Sequence, residues 1–465
     1  MYIYDTSKKE KRRFTPLKEG EVSLYVCGPT VYDDAHLGHA KSALTFDLLN
    51  RVLQANGYKV RYARNITDID DKIIKKSLET KEPISNITAF YTKRFHADMA
   101  QLGVLPPSIE PKATENLDAM FALISKLLQN GCAYKTASGD IYFDTAKDPK
   151  YLSLSQRKQE EEQKQQRIEK NEAKKNSADF ALWKAVDDLA FESPFGKGRP
   201  GWHLECSAMI HKHLAYKDEA FEIDIHGGGA DLLFPHHENE AAQTRCAEHK
   251  ELAAYWMHNG FVRVNGEKMS KSLGNSFFLK DALKLYDGEV LRFYLLSTHY
   301  RSDFNFSTQD LENAKKRLDK LYRLKKRLFG LPEQDALQTP FKTLLLETLS
   351  DDLNVSKALS LIDEFITQTN ETLDTPGKHK QLKKEASANL TYIADILGFG
   401  VQNPYSYFQR GIDEATKEEI EQLIQQRNEA KKSKNFEEAD ALRDKILAHG
   451  VSIMDTPQGT FWEKA

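Results

Sequence analysis

A short apolar run that ends at a glycine-proline pair and gives way to a helix constrains this chain more than any other feature. Val22-Ser23-Leu24-Tyr25-Val26 predicts a buried strand. Gly28-Pro29 breaks it. After Gly38 the apolar positions Ala40, Ala43, Leu44, Leu48 and Leu49 fall near a 3.6-residue period and predict a helix. Residues 59–66 predict a second strand, and strand, helix, strand is the opening of a doubly wound α/β fold. In such folds ligands sit at the carboxyl ends of the strands, where both Cys27 and Thr67 fall. His36-Leu37-Gly38-His39 lies where the helix begins, a place whose free N–H groups and dipole suit phosphate. Two imidazoles there serve either as ordinary caps and packing or as groups that stabilise charge on a nucleoside triphosphate. Thr67-Asp68 reads equally as a helix N-cap.

Length and cysteine usage limit the rest. A chain of 465 residues divides into two to four domains. Four cysteines, Cys27, Cys132, Cys206 and Cys246, make no disulfide framework and favour metal binding or catalysis. A formal charge of −3 excludes a wholly basic nucleic-acid binder, so RNA contact is expected through local patches. No apolar run is long enough to span a bilayer, and Met1-Tyr2-Ile3-Tyr4-Asp5 has no apolar signal core. The expectation is a cytoplasmic, monomeric protein without a membrane partner.

Helices are expected over 85–130, broken at Pro106-Pro107, and a strand over 139–144. The stretch 156–175 is almost all Gln, Glu, Lys and Arg and cannot bury a core. A helix beginning near Trp202 places Trp202, Cys206 and Met209 on one face, which packing alone would also explain. The strand Phe221-Glu222-Ile223-Asp224-Ile225 runs into His226-Gly227-Gly228-Gly229-Ala230-Asp231, where three glycines let a ligand approach the backbone closely. His236 and Glu240, four apart after Pro235, share a helical face, and His237 and Glu238 are expected to point elsewhere. Residues 256–264 predict a strand region, Asn265-Gly266 a turn, and Lys268-Met269-Ser270-Lys271-Ser272 a small cationic loop. From Ser307 the pattern is helical for nearly a hundred residues, opening with the basic run 315–327. Two more helices and a closing hairpin are expected after a linker near Phe399-Gly400.

The His36-Leu37-Gly38-His39 and Lys268-Met269-Ser270-Lys271-Ser272 elements together resemble the two signatures of class I aminoacyl-tRNA synthetases. Cys27-Gly28-Pro29-Thr30-Val31-Tyr32 narrows the resemblance to the cysteinyl-tRNA synthetase family. It implies an α/β architecture: a doubly wound, Rossmann-like class I catalytic domain over 1–306 with an insertion near 105–200, a helical stem-contact bundle over 307–400, and a small mixed α/β anticodon-binding domain over 401–465. It implies ATP-dependent activation of L-cysteine to an adenylate and transfer to tRNA(Cys), with Mg2+ accompanying ATP. His36, Gly38, His39 and Lys271 would hold ATP, with His36, His39, Lys268 and Lys271 acting in catalysis. Gly28, Thr67, Trp202 and Asp231 would contact the amino acid. Cys27, Cys206, His236 and Glu240 would hold one zinc ion per chain. None of their sequence distances is a zinc-finger spacing, but each residue type is an ordinary zinc ligand.

The chemical reason for zinc lies in the substrate. Cysteine and serine are near-isosteres, and a pocket's shape separates such pairs only by roughly 10–200-fold. Zinc binds a thiolate strongly and a neutral hydroxyl weakly. Four protein ligands normally close a zinc site, so a substrate thiolate would enter as a fifth ligand or displace a weak one. Alternatives are a paralogue that activates cysteine for a small amine, a catalytically dead tRNA binder and a zinc hydrolase. The long helical region after 307 disfavours the first, the intact histidine and lysine signatures the second, and the want of an open three-ligand site with a base the third. Trp462 and Arg443 are candidate base contacts, with core packing and a surface ion pair as the alternatives.

Overall fold

The computed structural model describes residues 1–157, 174–264, 267–268, 278–331, 337–456 and 458–465. Lys271 and most of the charged stretch 156–175 lie outside the described residues, and of Lys268 only the backbone is described. The described chain forms two compact units, Met1–Ala314 with Leu344–Ser360, and Lys315–Thr343 with Leu361–Ala465.

The first unit is built on four parallel strands in the order Glu251–Asn259, Phe221–Gly229, Glu21–Val26, Lys59–Arg64. Val26 lies opposite Gly227 on one side and Arg64 on the other, so Cys27 leaves the sheet between two strand ends. The helix Leu37–Ala55 crosses from Glu21–Val26 to Lys59–Arg64, and the chain reaches Phe221–Gly229 on the opposite side only much later. The connections therefore diverge beside Cys27, which is where a doubly wound sheet opens a crevice.

Sequence chemistry explains that first helix. His36 caps it in extended backbone: its Nδ1 accepts from Gly38 N–H at 3.1 Å, and His39 Nδ1 accepts from His36 N–H at 3.2 Å. These bonds satisfy donors that a helix start otherwise leaves orphaned. Leu44, Phe46, Leu49, Val52 and Leu53 are fully buried, each worth roughly 1.5–3 kcal/mol of transfer free energy. The helix stops at Asn56, whose side chain donates to Val52 O at 2.8 Å, and Gly57 follows at φ +87°. Lys41 is also buried in this unit; its Nζ donates to Leu295 O at 2.7 Å and Thr298 O at 2.9 Å.

The expected insertion contains its own antiparallel sheet, Ala133–Lys135, Ile141–Phe143, Phe180–Ala185 and Gly198–Pro200. Its core joins Phe143, Leu182 and Trp183 to the helices Leu117–Gln129, Trp202–His213 and Glu238–Glu248. The expected strand region 256–264 is divided. Glu251–Asn259 edges the parallel sheet, while Val262–Val264 pairs with Phe304–Phe306 and Glu267–Lys268 in a separate three-stranded sheet. Gly260 lies at the break, where a Cβ would meet the backbone of Ser302.

The second unit contains the basic helix end, where Leu318, Leu321, Tyr322 and Leu324 form the buried stripe. Several of its cations are paired within the unit: Lys315 with Asp319, Arg317 with Asp363, and Arg327 with Asp374. Lys316, Lys320 and Arg323 are exposed. The terminal module packs helices Glu414–Lys432 and Phe436–Ala448 on the hairpin Val451–Thr456 and Gly459–Lys464. Trp462 is 1 % exposed among Ile420, Ile424, Ile446 and Val451, and its Nε1–H donates to Glu421 at 2.6 Å. Packing therefore accounts for Trp462, whereas Arg443 is exposed.

Candidate active site and metal centre

A cavity of about 310 Å³ lies at the carboxyl ends of the parallel strands. Gly28, His36, Gly38, His39, Trp202 and Asp231 line it, and Cys27 forms part of its wall. Gly28 is required by close approach: a Cβ there would overlap Asn65 O, and its N–H donates to Asn65 Oδ1 at 2.8 Å. The His36 and His39 rings stack at 3.9 Å. Thr67 is one layer deeper, buried beside Glu205, to which its hydroxyl donates at 3.3 Å. Burial pushes the Glu205 carboxyl well above the usual range. Trp202 is 39 % exposed, unlike Met209 on the same helix, and its ring stacks on His236 at 4.2 Å.

Cys27, Cys206, His236 and Glu240 converge beside this cavity, with one donor atom from each within 4.8 Å of all the others. They come from the end of strand Glu21–Val26, from helix Trp202–His213, and from the turn and helix on either side of Glu238. Cys27 Sγ lies 3.7 Å from Cys206 Sγ and 3.7 Å from Glu240 Oε1. His236 Nε2 is 2.9 Å from Glu240 Oε1. All but Cys27 are fully buried.

The electrostatics suit a cation. The contact with Cys27 draws the Cys206 thiol down to about 6, against burial. Burial, and then Cys206, pushes Cys27 up. Burial opposes charge on His236, but Glu240 and Cys206 outweigh it and raise His236 to about 10. Burial likewise opposes charge on Glu240, but His236 and His226 hold it down at about 2. Glu240 and Cys206 thus favour a positive charge at this convergence.

The structure departs from the helical-wheel expectation at His237. A kinked turn, Leu233–His237, with extended backbone at Phe234, precedes the regular helix. His237 stands three residues before Glu240, a spacing that also puts two side chains on one helical side, and its Nε2 lies 3.4 Å from Cys27 Sγ. Cys27, His226, His237 and Glu240 form a second set of donors within 4.8 Å. Glu238 does point away, its carboxylate accepting from Ser155 N–H at 2.7 Å.

Sequence reasoning missed the histidines behind the quartet. His226 Nε2 pairs with Glu240 Oε2 at 2.7 Å, and His203 Nδ1 lies 2.9 Å from His236 Nδ1. His237 Nδ1 lies 2.8 Å from His258 Nε2, and His258 Nδ1 lies 3.0 Å from Thr6 Oγ1. Burial, and then the neighbouring imidazole charges, holds His203 and His258 at about 3. The one signal available was His226 at the end of a strand before three glycines.

Three family models match this chain: the tRNA synthetases class I (C) catalytic domain over residues 13–316, the DALR domain over 346–402, and the cysteinyl-tRNA ligase anticodon binding domain over 413–462. The cysteine--tRNA ligase of Sulfurimonas denitrificans is 68% identical over 466 residues, covering 100% of both chains. That of Aliarcobacter butzleri is 59% identical, covering 100% of this chain and 99% of the other, and that of Helicobacter pylori strain P12 is 54% identical with full coverage of both. Among solved structures, Mycobacterium tuberculosis methionyl-tRNA synthetase in complex with methionyl-adenylate has a TM-score of 0.60 at 13% identity, covering 81% of this chain and 92% of that one, a likeness of fold. A switch-point crevice with the two-histidine helix start, relatives matched end to end, and catalytic and anticodon-binding models on one chain place it in the cysteine--tRNA ligase family of class I tRNA synthetases.

Proposed function

We infer that the chain activates L-cysteine with ATP and transfers it to tRNA(Cys), and that zinc held by Cys27, Cys206, His236 and Glu240 selects the thiol. The observation that carries the zinc reading is the convergence of two thiols, an imidazole and a carboxylate beside the strand-end cavity. The fit rests on the donor chemistry: two sulfurs favour zinc over harder cations, and the second donor set offers only one. In this reading His226 orients Glu240 and His237 orients Cys27, as outer partners do around a metal. Bound there, zinc would favour the substrate's sulfur as thiolate over a hydroxyl.

The chain's own groups do the remaining work by placement. The start of helix Leu37–Ala55 places its positive dipole end and the stacked His36 and His39 at the cavity, where the α-phosphate gains charge under in-line attack by the substrate carboxylate. No protein nucleophile is needed, so positioning and charge stabilisation supply the catalysis. Gly28, Trp202 and Asp231 shape the amino-acid side of the cavity, and Thr67 acts from behind it. Lys268 and Lys271 are assigned to the leaving pyrophosphate, with Mg2+ accompanying ATP. The domain assignment proposed is catalytic 1–306, with its insertion near 105–200, stem-contact 307–400 and anticodon-binding 401–465. The proposed setting is a cytoplasmic monomer; no described helix is long and apolar enough to cross a membrane.

The test is charging of bulk tRNA with labelled cysteine against serine, before and after metal removal. Cysteine charging that disappears with zinc and returns on adding it back, with serine at background, is expected. Cysteine-dependent ATP–pyrophosphate exchange without tRNA charging would transfer the activity to another acceptor. Charging indifferent to zinc would remove the metal from the reading.

A further inference from the structure

The same three elements that supply the metal quartet and its partners meet again at their far ends. His211 lies five residues beyond Cys206 on helix Trp202–His213. Glu222 lies four residues before His226 on strand Phe221–Gly229. Glu248 closes helix Glu238–Glu248, eight residues beyond Glu240. One donor atom from each of His211, Glu222 and Glu248 lies within 4.8 Å of the other two.

The donor geometry is that of a small coordination sphere. Two tetrahedral donors bound to one zinc at about 2.0–2.1 Å lie about 3.3 Å apart. His211 Nδ1 is 2.9 Å from Glu222 Oε1 and 3.8 Å from Glu248 Oε1, values on either side of that spacing. Glu248 is oriented by Lys126, whose Nζ donates to Oε2 at 2.6 Å and leaves Oε1 on the His211 side. Glu222 supplies a separate sign of a missing partner. The residue is 2 % exposed, its Oε1 pairs with His211, and the second oxygen of the same carboxylate, Oε2, is buried with no hydrogen-bond partner among the described residues. A buried carboxylate oxygen left unpaired is costly, and a cation beside it removes the cost. His211 has half of its side chain exposed, which leaves an entry path and room for water as a further ligand.

We propose that His211, Glu222 and Glu248 form a second zinc site that clamps the outer ends of the two helices carrying Cys206 and Glu240 and of the strand carrying His226. The imidazole disfavours magnesium and calcium, and one nitrogen with two carboxylates is an ordinary zinc donor set. Its role is structural: it ties helix Trp202–His213, strand Phe221–Gly229 and helix Glu238–Glu248 together at the end remote from the cavity.

The competing account is that a protonated His211 neutralises the carboxylates with no metal present. Elemental analysis after equilibrium dialysis of the stripped full-length chain against micromolar free zinc separates the two. The wild type is expected to hold one more zinc per chain than His211→Ala, whatever number the quartet holds, and the variant is expected to keep cysteine-dependent ATP–pyrophosphate exchange. Glu248→Gln, at the end of its helix, is expected to lose the same equivalent. Equal zinc content in the wild type and both variants overturns the proposal. Cys206→Ser tests the quartet separately, so loss of one site's zinc is distinguishable from loss of the other's.

Discussion

Gly227 sits where the fold has least room, and Gly227→Ala tests the connection between packing and the metal quartet. A Cβ there would lie 2.9 Å from Phe46 Cδ1 and nearer still to Cε1 and Cζ. Carbon atoms pack best at about 3.5–4.0 Å, so the overlap is at least about 0.6 Å with three ring atoms at once. Neither side can yield easily. Phe46 is fully buried on the central helix, and Gly227 is held between Val26 and Met257 in the middle of the sheet. Overpacking of this kind costs about 1–3 kcal/mol, which lowers Tm by about 1–4 °C for a unit of this size. The displacement also reaches the site, because Cys27 N–H donates to Gly227 O at 3.2 Å and the neighbouring His226 holds Glu240. Gly227→Ala is therefore expected to lower Tm, zinc retention and cysteine-dependent ATP–pyrophosphate exchange together. Phe46→Leu removes the two nearest ring atoms. The double variant should recover at least about 1 kcal/mol relative to additivity, as contacting residues do. A Gly227→Ala protein with wild-type Tm and exchange, or a double variant that is strictly additive, would refute the steric account.

Three further outcomes are expected. His226→Asn removes the partner of Glu240 Oε2 and should weaken zinc binding by about 10–100-fold, the scale of outer-partner losses; competition with a chelator measures it, and unchanged affinity would leave Glu240 self-oriented. Lys271→Ala should reduce the rate of adenylation far more than cysteine affinity, since charge on the leaving group grows only in the transition state; equal losses in pre-steady-state rate and in binding would argue against that role. Asp98 is 7 % exposed and its carboxyl is raised to about 6, by burial first and against the pull of Arg94. A carboxyl raised on folding binds more protons in the native state, so stability falls as pH rises from about 4 to 6 and stays lower above. Asp98→Asn should therefore stabilise the chain by about 1–3 kcal/mol at pH 7.5 and by much less at pH 4; melting curves that show no gain at pH 7.5 would contradict this.

Local chemistry made the catalytic core legible. A strand stopped by Gly28-Pro29 and a helix opened by His36-Leu37-Gly38-His39 are short-range patterns, and the structure shows both. The start of the Trp202 helix, the buried stripe of Leu318, Leu321 and Tyr322, and the terminal hairpin depend equally on neighbours in the chain. Counting only the i, i+4 pair failed at His237. His237 shares a helical side with Glu240 at the i, i+3 spacing, and its approach to Cys27 depends on a strand end that no local pattern places beside it. Resemblance named Cys27, Cys206, His236 and Glu240, but residues separated by up to 213 positions become one donor set only when the strand ends and the two helices pack.

By itself, the sequence determined the opening strand–helix–strand order, the family, and the residue types able to hold a metal. Each depends on side-chain chemistry acting within a few positions, or on motifs read directly. Tertiary structure alone decided which histidines stand behind the quartet, that Trp202 faces the cavity while Trp462 is core, and that His211, Glu222 and Glu248 meet. Those outcomes depend on burial and on distances between remote segments, and a linear chain acquires such properties only when its elements pack.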